Sequence, residues 1–412
     1  MPYDLIIVGG GPGGATSAKI VAEQGLNVLL LEAGEEGRYK CCAGGIPMRC
    51  EDFSPIPHGV NERVITGGVL VTPKKEPMEF EATGEKNKGF CMFRTDFDKY
   101  LLNQARDAGV EVKYKFRVKN VHIKEDKVKV IGPNEYDCKC IVIATGIGGA
   151  ILQRSLGIEV PPMINAVQAE FAIPETIIDE QFGNKIWEFF NTSLIDHGIA
   201  WAFPKLNAVS IGVLGKGVKK THFDAFLQSP QMKQKLVNGD MMTFSGRKIW
   251  AAPIPDKMIK KPYGNRVMVI GDACGTADPI LYEGIYQARM SAKIAAEVFC
   301  KAFEEGDFGE KSLSRYKKHL LKELYNEELR YSYRFHRLLF HSNQLENLIE
   351  ATYSLAQEDP DMLESTIALF SGTQTRKQIW ERLMSNKWKL IKNLGISNSL
   401  RLIPSLLRAL RI

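Results

Sequence analysis

The N-terminal segment constrains the fold of this chain more than any other part of the sequence. Residues 5–8 form a continuous apolar run, which is typical of a parallel strand buried on both faces. The run stops at Gly-Gly-Gly-Pro-Gly-Gly, residues 9–14, and residues 15–24 then show helical spacing. A second apolar run, residues 27–31, ends at Glu32. This order predicts a βαβ unit, from which Rossmann-type sheets are built.

The glycine-rich loop and Glu32 predict a dinucleotide site. Glycines let the backbone approach a pyrophosphate, the next helix offers free N–H groups, and a carboxylate after the second strand accepts hydrogen bonds from ribose hydroxyls. The same glycine pattern occurs in purely structural turns, but its place between a buried strand and a helix favours the nucleotide. The predicted contacts are Gly9, Gly11, Pro12, Gly13, Gly14 and Glu32.

The remaining segments predict that the nucleotide-binding domain is discontinuous. Apolar runs at residues 141–144 and 267–270 end at glycines, as parallel strands that face a ligand crevice do. Between them, residues 198–203 and 209–214 alternate with a period of two, which favours antiparallel sheet. We predict an α/β Rossmann-type domain (residues 1–60, 94–150 and 262–302), an interrupting antiparallel β-rich substrate domain (61–93 and 151–261), and a helical C-terminal region with a basic amphipathic tail (303–412).

Composition limits the cellular compartments and the binding partners that we expect for this protein. The N-terminus lacks a basic leader, and no stretch reaches the roughly 18 to 20 continuous apolar residues that cross a bilayer. The eight cysteines show no C-x-x-C pair and no zinc spacing, and the histidines show no ligand spacing. We therefore expect a cytoplasmic protein without a metal site and without a nucleic-acid partner.

Two further stretches resemble the FAD flavoproteins of the glutathione reductase and p-hydroxybenzoate hydroxylase type. Gly271-Asp272-Ala273, followed by Glu283-Gly284-Ile285 and a helix, is similar to their second FAD motif. Arg94 matches an arginine that these proteins place near the ribityl and phosphate groups, although a surface salt bridge is the alternative. The resemblance implies FAD, with Asp272 on a ribityl hydroxyl and the helix N-terminus at Gly284 beside the pyrimidine edge of the flavin. It further implies cofactor contacts at Arg38, Cys42, Ala43, Gly44, Gly146 and Ile285.

Three other motifs resemble the geranylgeranyl reductase family, including its archaeal digeranylgeranylglycerophospholipid reductases. Residues 38–45 (RYKCCAGG) are similar to the family's K-P-C-G-G loop, and residues 199–205 (IAWAFPK) resemble its Y-x-W-x-F-P motif. Residues 252–255 (APIP) lead into the Gly-Asp strand. The departures are Ile199 for the motif's tyrosine, Cys41 for its proline, Ala43 for a glycine, and Tyr282 where a glycine is common.

This resemblance implies an oxidoreductase acting on CH–CH groups. It would saturate carbon-carbon double bonds of a geranylgeranyl (isoprenoid) lipid, by hydride from flavin N5 and a proton from the protein. We assign the proton to Cys42, because the resemblance carries this cysteine over and the loop after Glu32 can lie beside the flavin ring. A free thiol is mostly protonated at neutral pH, so it could donate. The alternatives are a small buried cysteine or a redox pair with Cys41 or Cys50. Trp201, Phe203, Trp187 and Tyr282 are predicted to contact the substrate, and a core position is the alternative for the aromatic residues.

Other functions and the electron donor stay open. An aromatic monooxygenase shares the FAD domain, and a lipid-binding protein could hold flavin without catalysis. An electron carrier with a C-terminal iron-sulfur cluster is excluded, because Cys300 is the last cysteine. NADPH and reduced ferredoxin are equal candidates for the external reductant.

The C-terminal tail predicts a contact with a membrane surface. Seven basic residues and no acidic residue lie between Arg382 and the end of the chain. Leucines and isoleucines recur among them at helical intervals, and Gly395 and Pro404 are expected to break the tail into short helices. Such a segment can lie on the inner face of the cell membrane, while packing on the protein's own core or at an oligomer interface is the alternative.

Overall fold

The computed structural model describes residues 2–56, 63–82, 84–195, 197–236 and 239–412. The strands are β1 (Tyr3–Val8), β2 (Val28–Leu31), β3 (Gly45–Pro47), β4 (Arg63–Ile65), β5 (Gly67–Val71), β6 (Met78–Glu81), β7 (Gly89–Cys91), β8 (Glu111–Lys113), β9 (Asn120–Ile123), β10 (Val128–Ile131), β11 (Glu135–Ile143), β12 (Met163–Ala172), β13 (Lys185–Phe189), β14 (Gly198–Pro204), β15 (Ala208–Gly215), β16 (Asp240–Met241), β17 (Trp250–Pro255), β18 (Tyr263–Gly264) and β19 (Val267–Val269).

The α-helices cover the sheets and form most of the C-terminal third. They are α1 (Pro12–Ala22), α2 (Arg94–Asp107), α3 (Ala150–Ser155), α4 (Glu175–Gln181), α5 (Lys220–Leu227), α6 (Pro230–Lys235), α7 (Ile285–Glu305), α8 (Glu310–Leu320), α9 (Arg330–Phe340), α10 (Leu345–Glu358), α11 (Pro360–Ser371), α12 (Arg376–Ser385), α13 (Lys387–Leu394) and α14 (Ile396–Leu410). A π-helical segment, Leu321–Leu329, joins α8 to α9.

The first sheet is the predicted Rossmann-type sheet. Its strand order is β18-β19-β11-β1-β2-β8, and the pairs from β19 to β8 are parallel. The apolar runs of β1, β2 and β11 are buried on both faces, as continuous hydrophobic strands require. Helix α1 starts at Pro12, whose fixed backbone suits a first helical turn.

The second sheet is antiparallel apart from one pair of strands. Its order is β16-β12-β15-β14-β13-β5-β6, with β17 paired to β12. The two stretches with alternating polarity form β14 and β15, which pair antiparallel with Trp201 opposite Gly212. Strand β13 pairs parallel with β5, which a crossover connection makes possible, since the chain leaves this sheet after β6 and returns at β12. The sequence patterns did not predict this parallel pair.

The C-terminal helices pack on both sheets through buried ion pairs as well as apolar side chains. Arg376 at the start of α12 lies 2.7 Å from Asp278, and both side chains are almost fully buried. Arg49 lies 3.1 Å from Glu328 of the π-helical segment. The predicted break at Pro404 is wrong, since Pro404 lies inside α14. The residue is exposed, so water can satisfy the carbonyl group that loses its helical partner there.

Among the residues that the structure describes, no helix has the length and apolar character needed to span a bilayer. The predicted domain boundary at residues 60–61 lies outside the described residues.

Candidate cofactor and substrate site

A cavity of about 810 Å³ lies between the two sheets. One part is lined by the glycine-rich loop, the end of β2 and the turns after β11 and β19. The other part is an apolar chamber on the face of the second sheet, closed on one side by α11. The main chamber side chains are Ile65, Phe80, Phe90, Ala166, Ile186, Glu188, Ile199, Trp201, Phe203, Leu214, Ile254, Tyr282, Ile367 and Phe370.

The glycine-rich loop leaves the N-terminus of α1 open to the cavity. A Cβ atom built on Gly11 would meet only Arg94 Nη2, at 3.9 Å. By contrast, a Cβ on Gly9 would lie 2.3 Å from the Ala144 carbonyl oxygen, and a Cβ on Gly14 would lie 1.9 Å from the Gly9 oxygen. Gly9 also has a φ of +112°. Gly9 and Gly14 thus allow close packing of helix and strands, whereas Gly11 leaves room for a ligand.

The predicted loop residues do not all reach the cavity. Gly9, Gly11, Pro12 and Gly13 line its wall. Gly14 does not line it, because its Cα faces the Gly9 backbone. Gly14 instead lets α1 pack closely against the backbone at Gly9.

Glu32 is held as a carboxylate beside the glycine-rich loop. Its oxygens accept hydrogen bonds from the Gly10 and Gly34 N–H groups at 2.8 and 2.7 Å, and Arg38 Nε lies 2.9 Å from Oε1. Burial alone would raise the pKa of Glu32, but Arg38 and the two N–H groups hold it below its ordinary value. Arg38 Nη2 also donates to Oε2, at 3.3 Å, so the roughly four lone-pair sites of the carboxylate are all in use and a ribose hydroxyl would have to replace or share this longest hydrogen bond.

Arg94 is buried and does not form a surface salt bridge. Its Nε and Nη2 atoms donate to the two Asp98 oxygens at 2.7 and 3.0 Å. Burial disfavours the charged form, but Asp98 and then Cys42 raise the pKa of Arg94 above its ordinary value. The guanidinium therefore stays charged at the cavity wall, between the glycine-rich loop and the loop that carries Cys42 (residues 38–45, the Cys42 loop).

The second predicted motif lies at the N-terminus of α7. Gly284 precedes the first residue of this helix, Ile285, and a Cβ on Gly284 would lie 3.2 Å from Asp272 Oδ1. Gly146 has a φ of +56° in the turn after β11. All four residues line the cavity. Two helix N-termini, a carboxylate and an arginine thus face one crevice, and this set of groups fits FAD.

A buried network beneath the Cys42 loop was not predicted from the sequence. Gln168 Nε2 donates to the Cys42 carbonyl oxygen at 3.3 Å and to the Tyr39 hydroxyl at 3.2 Å. It also lies 3.3 Å from Glu170 Oε1, and Lys205 Nζ donates to Glu170 Oε2 at 2.7 Å. Lys205 follows the W-x-F-P motif directly, which is the one signal that could have revealed the network.

The cysteines in the described part of the chain are free, so neither Cys41–Cys42 nor Cys42–Cys50, the pairs considered as an alternative, forms a disulfide in this structure. Cys41 and Cys42 line the cavity, and Cys50 lies in the hydrophobic core around the first sheet. Burial raises the pKa of Cys41 to about 12. Ala43 and Gly44 line the cavity beside them, and the positive φ of Gly44, +85°, lets the loop approach the Met92 carbonyl group.

The structure separates the four predicted substrate residues. Trp201, Phe203 and Tyr282 line the chamber. The Trp201 ring lies across Gly212, where a Cβ would come within 2.1 Å of it. Trp187 does not line the chamber, because side chains alternate along β13 and Trp187 points into the core on the opposite face. Its indole N–H donates to the Phe182 carbonyl oxygen at 3.0 Å, so Trp187 is a core residue.

Glu188 is a chamber residue that was not among those predicted. It is 2% exposed, and its Oε2 atom has no hydrogen-bond partner among the described residues. Burial raises the pKa of Glu188 to about 8, against a lowering effect of Arg376. The signal in the sequence is a single acidic residue in the apolar stretch 186–190, which the alternation of β13 places on the face opposite Trp187.

Gly11→Val is expected to abolish flavin binding while leaving the fold intact. The added side chain enters the open space at the N-terminus of α1, where the nearest protein atom to its Cβ is Arg94 Nη2 at 3.9 Å, so it blocks the ligand without a clash against the backbone. The visible flavin absorbance of the purified protein and its thermal unfolding report these two effects separately. Gly11→Ala is the graded control, with weaker binding expected. Retention of flavin by the valine variant would contradict a cofactor at this position.

Glu188→Gln is expected to raise the free energy of unfolding, and the gain should grow with pH. In the unfolded chain the carboxyl ionises near its ordinary value of 4.5, whereas burial keeps it protonated up to about pH 8. The stability contributed by the protonated form is complete below the lower value and is lost as the pH rises through the higher one. The loss amounts to a few kcal/mol at most, because one pKa unit corresponds to about 1.4 kcal/mol.

Urea unfolding at acidic and at alkaline pH measures this difference. The variant should match the wild type at about pH 4 and exceed it at about pH 9. Glu79→Gln is the matched control, because Glu79 is an exposed carboxylate on the neighbouring region of the sheet. A Glu188→Gln gain that is the same at both pH values would contradict a buried protonated carboxyl.

Comparison with known proteins supports the assignment of the N-terminal βαβ segment to an FAD-binding domain. Residues 4–51 match the family model described as FAD binding domain. Among solved structures, a geranylgeranyl bacteriochlorophyll reductase-like protein from Thermoplasma acidophilum superposes with a TM-score of 0.71 at 22% identity, covering 95% of this chain and 98% of that chain. The halogenase PltM in complex with phloroglucinol and FAD superposes with a TM-score of 0.68 at 15% identity, covering 92% of this chain and 86% of that chain. These similarities show the fold.

Curated relatives cover most of the chain. A digeranylgeranylglycerophospholipid reductase from Methanocaldococcus jannaschii is 29% identical over 363 residues, which is 85% of this chain and 90% of the relative. A second such protein, from Methanococcus vannielii, is 29% identical over 326 residues, or 76% of this chain and 81% of the relative. Over most of its length, the chain is thus a relative of the digeranylgeranylglycerophospholipid reductases that its sequence motifs resemble.

Proposed function

We propose that this protein is an FAD-dependent oxidoreductase that saturates carbon-carbon double bonds of a geranylgeranyl lipid. The observation that carries the proposal is the continuity of the cavity. The crevice that fits a dinucleotide runs without interruption into an apolar chamber lined by Trp201 and Phe203 of the second sheet. The names of the curated relatives point to the same substrate class.

The chamber suits an isoprenoid chain better than a polar aromatic substrate. Most of its side chains on the second sheet are aliphatic or aromatic, among them Ile186, Ile199 and Leu214. Burial of an apolar chain against such a wall is favourable by about 25 cal/mol per Å². We therefore assign residues 61–93 and 151–261 the role of a substrate domain, as the sequence predicts.

The protein residues have separate roles in this proposal. When bound, FAD would supply the hydride, and NADPH or reduced ferredoxin would recharge it. The Gly-rich loop, Glu32, Arg94, Asp272 and the N-terminus of α7 would hold the cofactor. Trp201 and Phe203 would position the isoprenoid chain, since both line the chamber from one strand.

Cys42 is the proposed source of the proton for an unactivated double bond. An isolated alkene has no carbonyl group to polarise it, so a positioned acid is required. The Cys42 loop lies at the junction of the crevice and the chamber, where Gln168 holds its backbone. Cys41 is a weaker candidate, because burial raises its pKa to about 12.

The function is tested with the purified flavoprotein under anaerobic conditions. The protein is reduced with dithionite, a geranylgeranyl lipid is added, and flavin absorbance and lipid mass are followed together. The lipid should gain two hydrogens for each flavin reoxidised, and Cys42→Ala should slow this step by about 100-fold or more. Cys300→Ala, a change outside the cavity wall, should leave the rate unchanged. Flavin that stays reduced until oxygen enters, with the lipid unaltered, would overturn the proposal and favour a monooxygenase.

The C-terminal helix provides a surface for docking on an anionic membrane. Ile396, Leu400, Ile403, Leu407 and Leu410 recur at intervals of three and four residues, and all are at least 46% exposed. The opposite side of α14 packs on the protein through Leu402 and Ala409 among others. The helix therefore has an apolar stripe that the protein's own core does not use.

Charge and chemistry favour lipid as the partner of this stripe. Arg401, Arg408 and Arg411 lie along one side of it, and Trp388 of the preceding helix is 74% exposed. A basic amphipathic helix with exposed leucines binds at the headgroup level of an anionic bilayer. We place the protein in the cytoplasm, with this helix on the inner face of the membrane that holds the lipid substrate.

Leu400→Gln combined with Leu407→Gln is expected to weaken binding to vesicles at least tenfold, because each of these exposed leucines would contribute about 1.5 to 3 kcal/mol on entering the bilayer. Sedimentation with vesicles that contain an anionic phospholipid measures the bound fraction, and neutral vesicles should bind less. Ser397→Gln, on another side of α14, is the control. Equal binding by both variants, or a concentration-dependent dimer that the double change abolishes, would contradict the lipid assignment.

A further inference from the structure

The apolar chamber contains one buried carboxyl group that the proposed reaction does not use. Glu188 lines the chamber from β13, and neither of its carboxyl oxygens has a hydrogen-bond partner among the described residues; Oε2 is enclosed by protein atoms, so Oε1 is the oxygen that an occupant of the cavity can reach. Leaving a buried polar atom without a partner costs about 1 to 3 kcal/mol. Such an atom at the wall of a cavity indicates that the occupant supplies the partner.

The register of the sheet places Glu188 relative to the Cys42 loop. Glu188 is opposite Trp201, Trp201 is opposite Gly212, and Gly212 is opposite Gln168, which holds the Cys42 carbonyl group. Glu188 and Gln168 are therefore three strands apart, on the order of 14 Å. The Trp201 ring covers the floor between them, because Gly212 has no side chain. An extended chain can lie along this row with one end at Glu188 and a more distant part beside Cys42.

The charged groups around Glu188 are already paired with others. Arg376 of α12 is bound to Asp278 at 2.7 Å. Lys185 on the same strand is bound to Glu79 and Glu81, and Lys88 at the chamber wall is bound to Glu85. On β5 and β14 the residues opposite Glu188 are Leu70 and Trp201. These surroundings disfavour the carboxylate, so at neutral pH the side chain presents one O–H donor and a carbonyl acceptor.

We propose that Glu188 hydrogen-bonds an oxygen atom at the end of an isoprenoid ligand, so that the chamber selects oxygen-bearing chains over hydrocarbons and sets how far along the chain the Cys42 loop acts. This inference rests on the proposed function for the identity of the chain. The oxygen can be a hydroxyl, which donates and accepts, or an ether oxygen, which only accepts. Both are bound by a protonated carboxyl, but an ionised carboxylate can bind only the hydroxyl.

The test measures binding to the oxidised FAD-loaded protein, which cannot turn over. The probes are tritium-labelled geranylgeraniol, its methyl ether, and the hydrocarbon of the same chain length without oxygen. At neutral pH the wild type should bind the alcohol and the ether roughly tenfold more tightly than the hydrocarbon, the ratio expected for one buried hydrogen bond. Above about pH 8 the ether should lose this advantage and the alcohol should keep it.

Three variants separate the hydrogen bond from packing. Glu188→Leu should bind all three probes alike. Glu188→Gln keeps an N–H donor that does not titrate, so it should bind the ether more tightly than the hydrocarbon at every pH. Glu79→Gln, an exposed carboxylate paired with Lys185, should behave as the wild type does. Equal binding of alcohol and hydrocarbon by the wild type, or an unchanged preference in Glu188→Leu, overturns the proposal.

Failure of the Glu188 inference can be distinguished from failure of the proposed reductase function. Selective binding that depends on Glu188 without reduction of any lipid would refute the reductase and keep the chamber assignment. Reduction of lipid with no dependence of binding on Glu188 would refute only the present inference. If both proposals hold, Glu188→Leu should reduce a different set of double bonds in an oxygen-bearing lipid than the wild type does, because the variant no longer holds one end of the chain.

Discussion

The close approach between the first turn of α1 and the ends of β1 and β11 is the contact on which the site depends. It is possible only because Gly14 lies against the Gly9 carbonyl group and Gly9 against Ala144, at distances that exclude any side chain. Any larger residue there would push α1 away from the sheet. With α1 in place, its N-terminus points at the crevice, and the parallel strands bring Glu32, Gly146 and Asp272 to the same edge. The cofactor crevice is thus a consequence of backbone packing before any polar side chain is considered.

Buried charge around the cavity follows two patterns with different consequences. Arg94 with Asp98, Lys205 with Glu170, and Arg376 with Asp278 are close pairs, so each charge is compensated where it is buried. The Arg94–Asp98 pair lies within α2. The other two pairs join separate parts of the fold, β12 to the end of β14 and α12 to the turn before α7. Glu188 has no such pair among the described residues, and burial favours its neutral form instead. Compensated pairs therefore support the walls of the cavity, while the uncompensated carboxyl faces its interior.

The C-terminal helices connect the chamber to the surface of the protein. Ile367 and Phe370 of α11 close one side of the chamber. Helices α13 and α14 follow in the chain, and α14 buries Leu402 and Ala409 against the same helical unit. The exposed apolar stripe of α14 is consequently part of the unit that closes the chamber.

Local sequence patterns alone were sufficient for the parallel strands, the glycine-rich loop, Glu32 and the N-terminus of α1, because these features depend on residues close together in the chain. The N-terminus of α7 at Gly284 came from the resemblance to FAD flavoproteins. The motif resemblances also led to Trp201, Phe203 and Tyr282 on the cavity wall. Tertiary structure alone decided that Trp187 is a core residue, since one step along β13 exchanges the two faces of the sheet and the sequence does not say which face is the chamber. It likewise decided that Glu188 has no ion-pair partner in the described part of the chain, while Glu170 is paired with Lys205, 35 residues further along. Whether a buried charge is compensated depends on which strands become neighbours, and that is a property of the assembled sheet.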